Sequence, residues 1–88
     1  MIVFDPDKDA ANIAKHGVSL ARAADMVLEE AVVLPDDRRD YGEPRFRAFG
    51  FIDTVAHCLV FTVRHDRIRA ISLRRAHLKE MKRHVPRD

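Results

Sequence analysis

RIRAISLRRA, residues Arg67 to Ala76, is the stretch on which the fold turns. Ile68, Ala70, Ile71, Ser72 and Leu73 form an apolar, partly β-branched run of strand length, bounded by charge on both sides. It reads as an interior strand rather than an independent helix. Ser72 or a neighbour can then start a helix from Arg74 through His84, which would set Arg69, Arg74 and Arg75 around a strand-to-helix junction. Guanidinium groups fixed at a rigid junction suit an anionic ligand, because a planar fork of five donors pairs best with phosphate or carboxylate.

Working outward, Val55 to Arg64 places Val55, His57, Leu59, Phe61 and Val63 on one face of a strand. Ala56, Cys58, Val60, Thr62 and Arg64 lie on the other. His65 and Asp66 make the tight connection into the central strand. Arg45 to Ile52 reads as another strand, turned by Asp53 and Thr54, and Asp36 to Pro44 as a polar, turn-rich, mobile loop. Ala31 to Leu34 is a short apolar run stopped by Pro35.

At the N-terminus, Ile2 to Phe4 form a short strand. Asp5 is a good N-cap, Pro6 suits the first helical position, and Asp7 and Asp9 favour the positive end of the helix dipole. Ala10, Ile13 and Ala14 make an apolar stripe, with Lys15 and His16 in the last turn and Gly17 as the left-handed cap. Ser19 caps a second helix with Leu20, Ala23, Ala24, Val27 and Leu28 at core-facing spacing. The order predicts an α+β fold: a small antiparallel sheet of four to five strands, two N-terminal helices and one C-terminal helix, with the helices on one face.

Eighty-eight residues make one small domain, 1–88, only marginally stable alone, so a partner chain is expected. The single Cys58 leaves no internal disulfide, which fits a reducing compartment. No apolar stretch approaches the roughly 20 residues that span a bilayer, and the N-terminus lacks the basic and apolar regions of a signal peptide, so a soluble, cytoplasmic protein is expected. The formal net charge of +2 hides an asymmetry: residues 1–44 carry five Lys+Arg against ten Asp+Glu, a net of −5, and residues 45–88 eleven against four, a net of +7. A basic half of this kind points to nucleic acid or to an acidic partner.

FDPDK at Phe4 to Lys8, Asn12 followed by KHGVS at Lys15 to Ser19, the Ala23-Ala24 pair, and RIRAISLRRA followed by Glu80 occur in an order that resembles the BrnT family, toxins of bacterial type II toxin–antitoxin systems. The resemblance covers nearly the whole chain. It implies a RelE-like fold, an endoribonuclease that needs no metal or other cofactor and blocks translation, and a cognate DNA-binding, BrnA-like antitoxin encoded beside it. DNA would then be met only through that partner, and no membrane is involved. Relatives often carry a Trp where this chain has Phe4, and a Tyr near the position of His84.

RNA cleavage without a metal uses the 2′-hydroxyl as nucleophile, so the protein must supply a base, an acid and cations for the crowded phosphate. Arg64, Arg69 and Arg74 are the candidate phosphate-stabilising groups, and His16 titrates in the right range to shuttle a proton. Glu80 lies four residues before His84 on one helix face and completes the catalytic candidates. Lys15, Ser72, Arg75, Lys79 and His84 are candidates for binding RNA. His57 with Cys58, or His77 with His84, is too few ligands for a closed zinc site, so no metal is expected. The rival reading is a non-catalytic module whose basic face docks an acidic antitoxin segment.

Overall fold

In the computed structural model, which describes residues 2–84 without the side chains of Leu78 and His84, the chain begins with strand β1 (Ile2–Val3), helix α1 (Pro6–His16) and two 3-10 turns, Leu20–Asp25 and Leu28–Glu30. Strands β2 (Val32–Pro35), β3 (Phe46–Ile52), β4 (Val55–Arg64) and β5 (Arg67–Arg75) follow, and helix α2 (Leu78–His84) comes last.

Local chemistry sets the ends of α1. The Asp5 carboxylate accepts the Asp7 N–H at 2.8 Å, Pro6 sits where its missing N–H costs nothing, and Gly17 closes the helix at φ 74°. The helix presents a different face from the one its apolar residues predict. Ala10, Ile13 and Ala14 face solvent, Ile13 at 46 % exposure, and Asn12 is the buried residue.

The expected second helix is a 3-10 segment. Ser19 caps it through its hydroxyl, and its buried residues Leu20 and Ala23, with Met26 at the C-cap, recur every three positions because i and i+3 eclipse in this geometry. Ala24 and Val27, assigned to the core by α-helical spacing, are exposed.

The sheet order is β1-β5-β4-β3-β2. Three pairings are antiparallel, but β1 runs parallel to β5, so the sheet is mixed rather than antiparallel. No hairpin joins β1 to its neighbour; the rest of the chain intervenes, which frees the pair to run in one direction.

Each face of the sheet carries a core. Leu20, Ala23 and Met26 pack on Ala48, Ile52, Leu59, Phe61, Ala70 and Leu73. On the reverse face Met81 of α2 packs with Phe49 and Cys58. The closing helix therefore covers the face opposite the 3-10 segments, contrary to the one-sided arrangement expected. It also starts later than expected: β5 continues through Arg75, Ser72 lies within the strand and caps nothing, and the His77 carbonyl accepts the first helical bond, from Met81.

The β3–β4 and β4–β5 hairpins turn on two residues in the left-handed region, Asp53-Thr54 and His65-Asp66, as the twist of paired strands favours. Thr54, β-branched at φ 66°, bears a steric cost of ~1–2 kcal/mol. Thr54→Gly is expected to stabilise the fold by about 1 kcal/mol and to raise the thermal midpoint by roughly 4–8 °C. A lowered midpoint in a melting experiment would show that the threonine's own contacts outweigh its backbone strain.

Candidate functional site

A bulge in β5 decides which side chains share a surface. Val60 pairs with Ser72 but Phe61 pairs with Ala70, so Ile71 is an extra residue on its strand. Arg67 and Arg69 stand opposite Arg64 and Thr62, on the face away from the larger core. Strict alternation from Arg69 would turn Arg74 to the core side. The extra residue reverses the phase: Leu73 lies in the core opposite Leu59, while Ser72 and Arg74, opposite Val60 and Cys58, join the face of Arg67 and Arg69. Arg47 on β3, opposite Val60, extends the same face. Its guanidinium carbon lies 5.7 Å from the centre of the Phe49 ring.

Helix α1 borders this face because one side chain ties it to the strand edge. Strand β1 covers only Ile68 and Arg69 of β5. Further along, the Asn12 carboxamide takes the place of a neighbouring strand: its Nδ2 donates to the Leu73 carbonyl at 2.8 Å, and its Oδ1 accepts the Leu73 N–H at 3.1 Å. The same Nδ2 also donates to the Val18 carbonyl at 2.8 Å. Beside this anchor lies a cleft of about 210 Å³ lined by Lys8, Ala11, Asn12, Lys15, His16, Ile71 and Ser72. Partial burial and the charges of Lys15 and Arg74 hold the His16 imidazole below its usual titration range. A neutral imidazole among cations is equipped to accept a proton near neutral pH.

Arg74 is gripped by Glu80. Nη1 donates to Oε1 at 2.9 Å and Nη2 to Oε2 at 2.8 Å, a two-point fork, and Oε1 also accepts the His77 N–H at 3.1 Å. This last bond satisfies an orphan donor at the start of α2. The Arg74 guanidinium, helped by the His77 N–H, pulls the Glu80 carboxyl down to about 2.

A larger cleft, about 490 Å³, opens at the other end of β5 between Val3, Arg64, His65, Arg67 and Arg69. Arg64 is paired with Glu43; Arg67 and Arg69 have no ion pair among the described residues.

The Asp36–Pro44 loop is more tightly held than its composition predicts. Asp36 is buried, donates its N–H to the Arg45 carbonyl, and grips Arg38 at 2.6 and 2.9 Å, which lowers its carboxyl to about 2. The Arg45 guanidinium stacks 4.1 Å from the centre of the Tyr41 ring.

The predicted residues thus fall into three groups. His16, Lys15 and Ser72 line one cleft, Arg64 and Arg69 the other, and Arg74 with Glu80 stands close enough to the first for its charge to reach His16. Arg69 sits within the strand rather than at a strand-to-helix junction. Arg75, opposite His57, is turned to the face of the larger core, away from Arg69 and Arg74. Lys79 is exposed on α2, and the His84 side chain, with its proposed pairing to Glu80, lies outside the described residues. A family model described as the ribonuclease toxin, BrnT, of type II toxin–antitoxin systems matches residues 4–80.

The chain belongs to the BrnT family. No individual curated protein matches it. Membership makes the protein a ribonuclease toxin of a type II toxin–antitoxin system, with RNA as substrate and an antitoxin as partner. Among the described residues no helix of this BrnT-family toxin is long and apolar enough to cross a membrane.

Sequence reasoning passed over two groups of this toxin. Lys8 lines the His16 cleft, and the spacing Lys8, Ala11, Asn12, Lys15, His16 was the signal, one continuous stripe of a helix. Arg67 and His65 line the other cleft, and their signal was adjacency to a two-residue turn that must project from the sheet.

Proposed function

We propose that residues 1–88 form a single RelE-like toxin domain acting in the cytoplasm as an endoribonuclease. It cuts RNA within the strand without a metal ion and so blocks translation. A DNA-binding, BrnA-like antitoxin neutralises it and supplies its only route to DNA. The observation that carries this reading is the cleft in which a neutral-leaning His16 faces Lys8, Lys15 and Ser72, with Arg74 close by.

His16 takes the proton of a ribose 2′-hydroxyl as that oxygen attacks the adjacent phosphorus. The bond from phosphorus to the 5′-oxygen breaks, leaving a 2′,3′-cyclic phosphate, and the departing oxygen takes a proton from a lysine of the cleft, Lys8 or Lys15. Arg74, held in place by Glu80, balances the charge gathering on the phosphate, while Ser72 donates to a phosphate oxygen.

Purified toxin incubated with total RNA and EDTA is expected to cut it. The rate should rise with pH and level off at an inflection below 6.5, because the base works as the neutral imidazole and its surroundings disfavour the charged form. His16→Ala should abolish that limb. Intact RNA in the presence of folded protein, or an acid limb that persists in His16→Ala, would count against the nuclease reading and leave the non-catalytic antitoxin-binding module standing.

A further inference from the structure

We infer that the cleft between β1 and the β4–β5 turn is a second phosphate-binding subsite for single-stranded RNA, separate from the His16 cleft, with Arg67 as its principal cation. The inference rests on the nuclease reading for its biological purpose, but its physical basis is independent. Arg64 and Arg67 are direct partners across the hairpin, so two like charges face each other where a structural sheet would place an opposite or neutral pair. Arg69 adds a third cation to the same lining, and the only carboxylate engaged with any of the three among the described residues is Glu43, on Arg64. Mutual repulsion at a rigid turn is relieved by an anion bound between the charges. The cleft, at about 490 Å³, has room for one.

Position names the anion. The cleft and the His16 cleft lie along the same strand, the first against Arg67 and Arg69 and the second against Ile71 and Ser72. At ~3.3 Å per residue, Arg67 and Ser72 are roughly 15 Å apart, too far to share one phosphate and well placed for two phosphates of one extended strand. Backbone contacts of this kind position a nucleic acid without reading its bases. The subsite therefore favours chains over mononucleotides and sets register on the substrate rather than sequence preference.

The test is a binding titration with a fully 2′-O-methylated single-stranded oligoribonucleotide, which the proposed reaction does not consume, over a range of salt concentrations. Arg67→Ala is expected to weaken binding roughly tenfold at low salt and to reduce the slope of log K against log salt by about 0.7, the signature of one lost phosphate contact. Arg67→Lys should fall between Arg67→Ala and wild type. Arg22→Ala removes the same charge from the 3-10 segment packed on the opposite face and should leave the slope unchanged. Because Arg67 is exposed and opposed by the like charge of Arg64, Arg67→Ala should melt no lower than wild type.

An Arg67→Ala slope equal to wild type would overturn the subsite, as would equal losses from Arg67→Ala and Arg22→Ala. Intact RNA binding with lost antitoxin binding would also overturn it, by assigning the cleft to the protein interface. Failure of the wild type to cut cleavable RNA would refute the nuclease reading alone, since the titration needs no turnover.

Discussion

Asn12→Ala is expected to cost about 3–5 kcal/mol, most of the stability that a domain of this size commands. The carboxamide makes three hydrogen bonds, and its removal strands the Leu73 N–H, the Leu73 carbonyl and the Val18 carbonyl, groups that have exchanged water for this one side chain. Each buried group left without a partner costs ~1–3 kcal/mol. Thermal unfolding should therefore fall by roughly 15 °C or more. Asn12→Asp, which keeps the size but replaces both donated bonds with repulsion between oxygens, should be no better at neutral pH. The effect reaches function, because Lys15 and His16 are held near Ser72 by the same anchor. A loss below 1 kcal/mol would mean that water enters and replaces the amide, and that the helix is held by other contacts.

The second large effect concerns Arg74. Arg74→Ala should lower kcat by about 10²–10³-fold, the usual loss when a preorganised donor to a charged transition state is removed. Glu80→Gln should cost much less, about tenfold. It keeps one hydrogen bond to the guanidinium and sacrifices only the two-point grip that aims it. The two variants separate a contact with phosphate from a positioning role. With its carboxyl drawn down to about 2, Glu80 stays ionised throughout the working range and carries no proton to transfer near neutral pH. The rate profile of Glu80→Gln between pH 5 and 8 should therefore keep the wild-type shape. Loss of a limb there would make Glu80 a proton carrier and refute the assignment.

The same carboxyl adds a stability term with a definite sign. Its folded value lies below the ordinary 4.5, so its contribution is complete above that pH and disappears as pH falls toward about 2. The pair is partly open to solvent, so a discounted contribution of about 1 kcal/mol applies.

Features fixed by neighbouring residues were legible in the sequence. Asp5, Pro6 and Gly17 bound α1 because caps are local chemistry, and β4 begins and ends where its alternation does. Features fixed across the fold were not. Asn12 looks like a solvated helix residue until its three backbone partners, from Val18 and Leu73, are brought to it. The mixed sheet rests on two residues, Ile2 and Val3, too few to carry a directional signal. Of the site, His16, Lys15, Ser72 and Arg74 came into view through family likeness and charge, whereas their separation from the Arg67 cleft follows from strand register. The apolar run of β5 hid that register: with Ile68, Ala70, Ile71 and Leu73 all hydrophobic, nothing in the string says which one is surplus.

The surplus residue stands outside the count that aims the toxin's cationic surface. Without position 71, Ala70 would run directly into Ser72 opposite Phe61 and Val60, and Leu73 would still turn inward and Arg74 outward. Loss of that one unit, like a change in its spelling, is therefore compatible with the arginine face. The parity of this strand is carried by its paired residues alone.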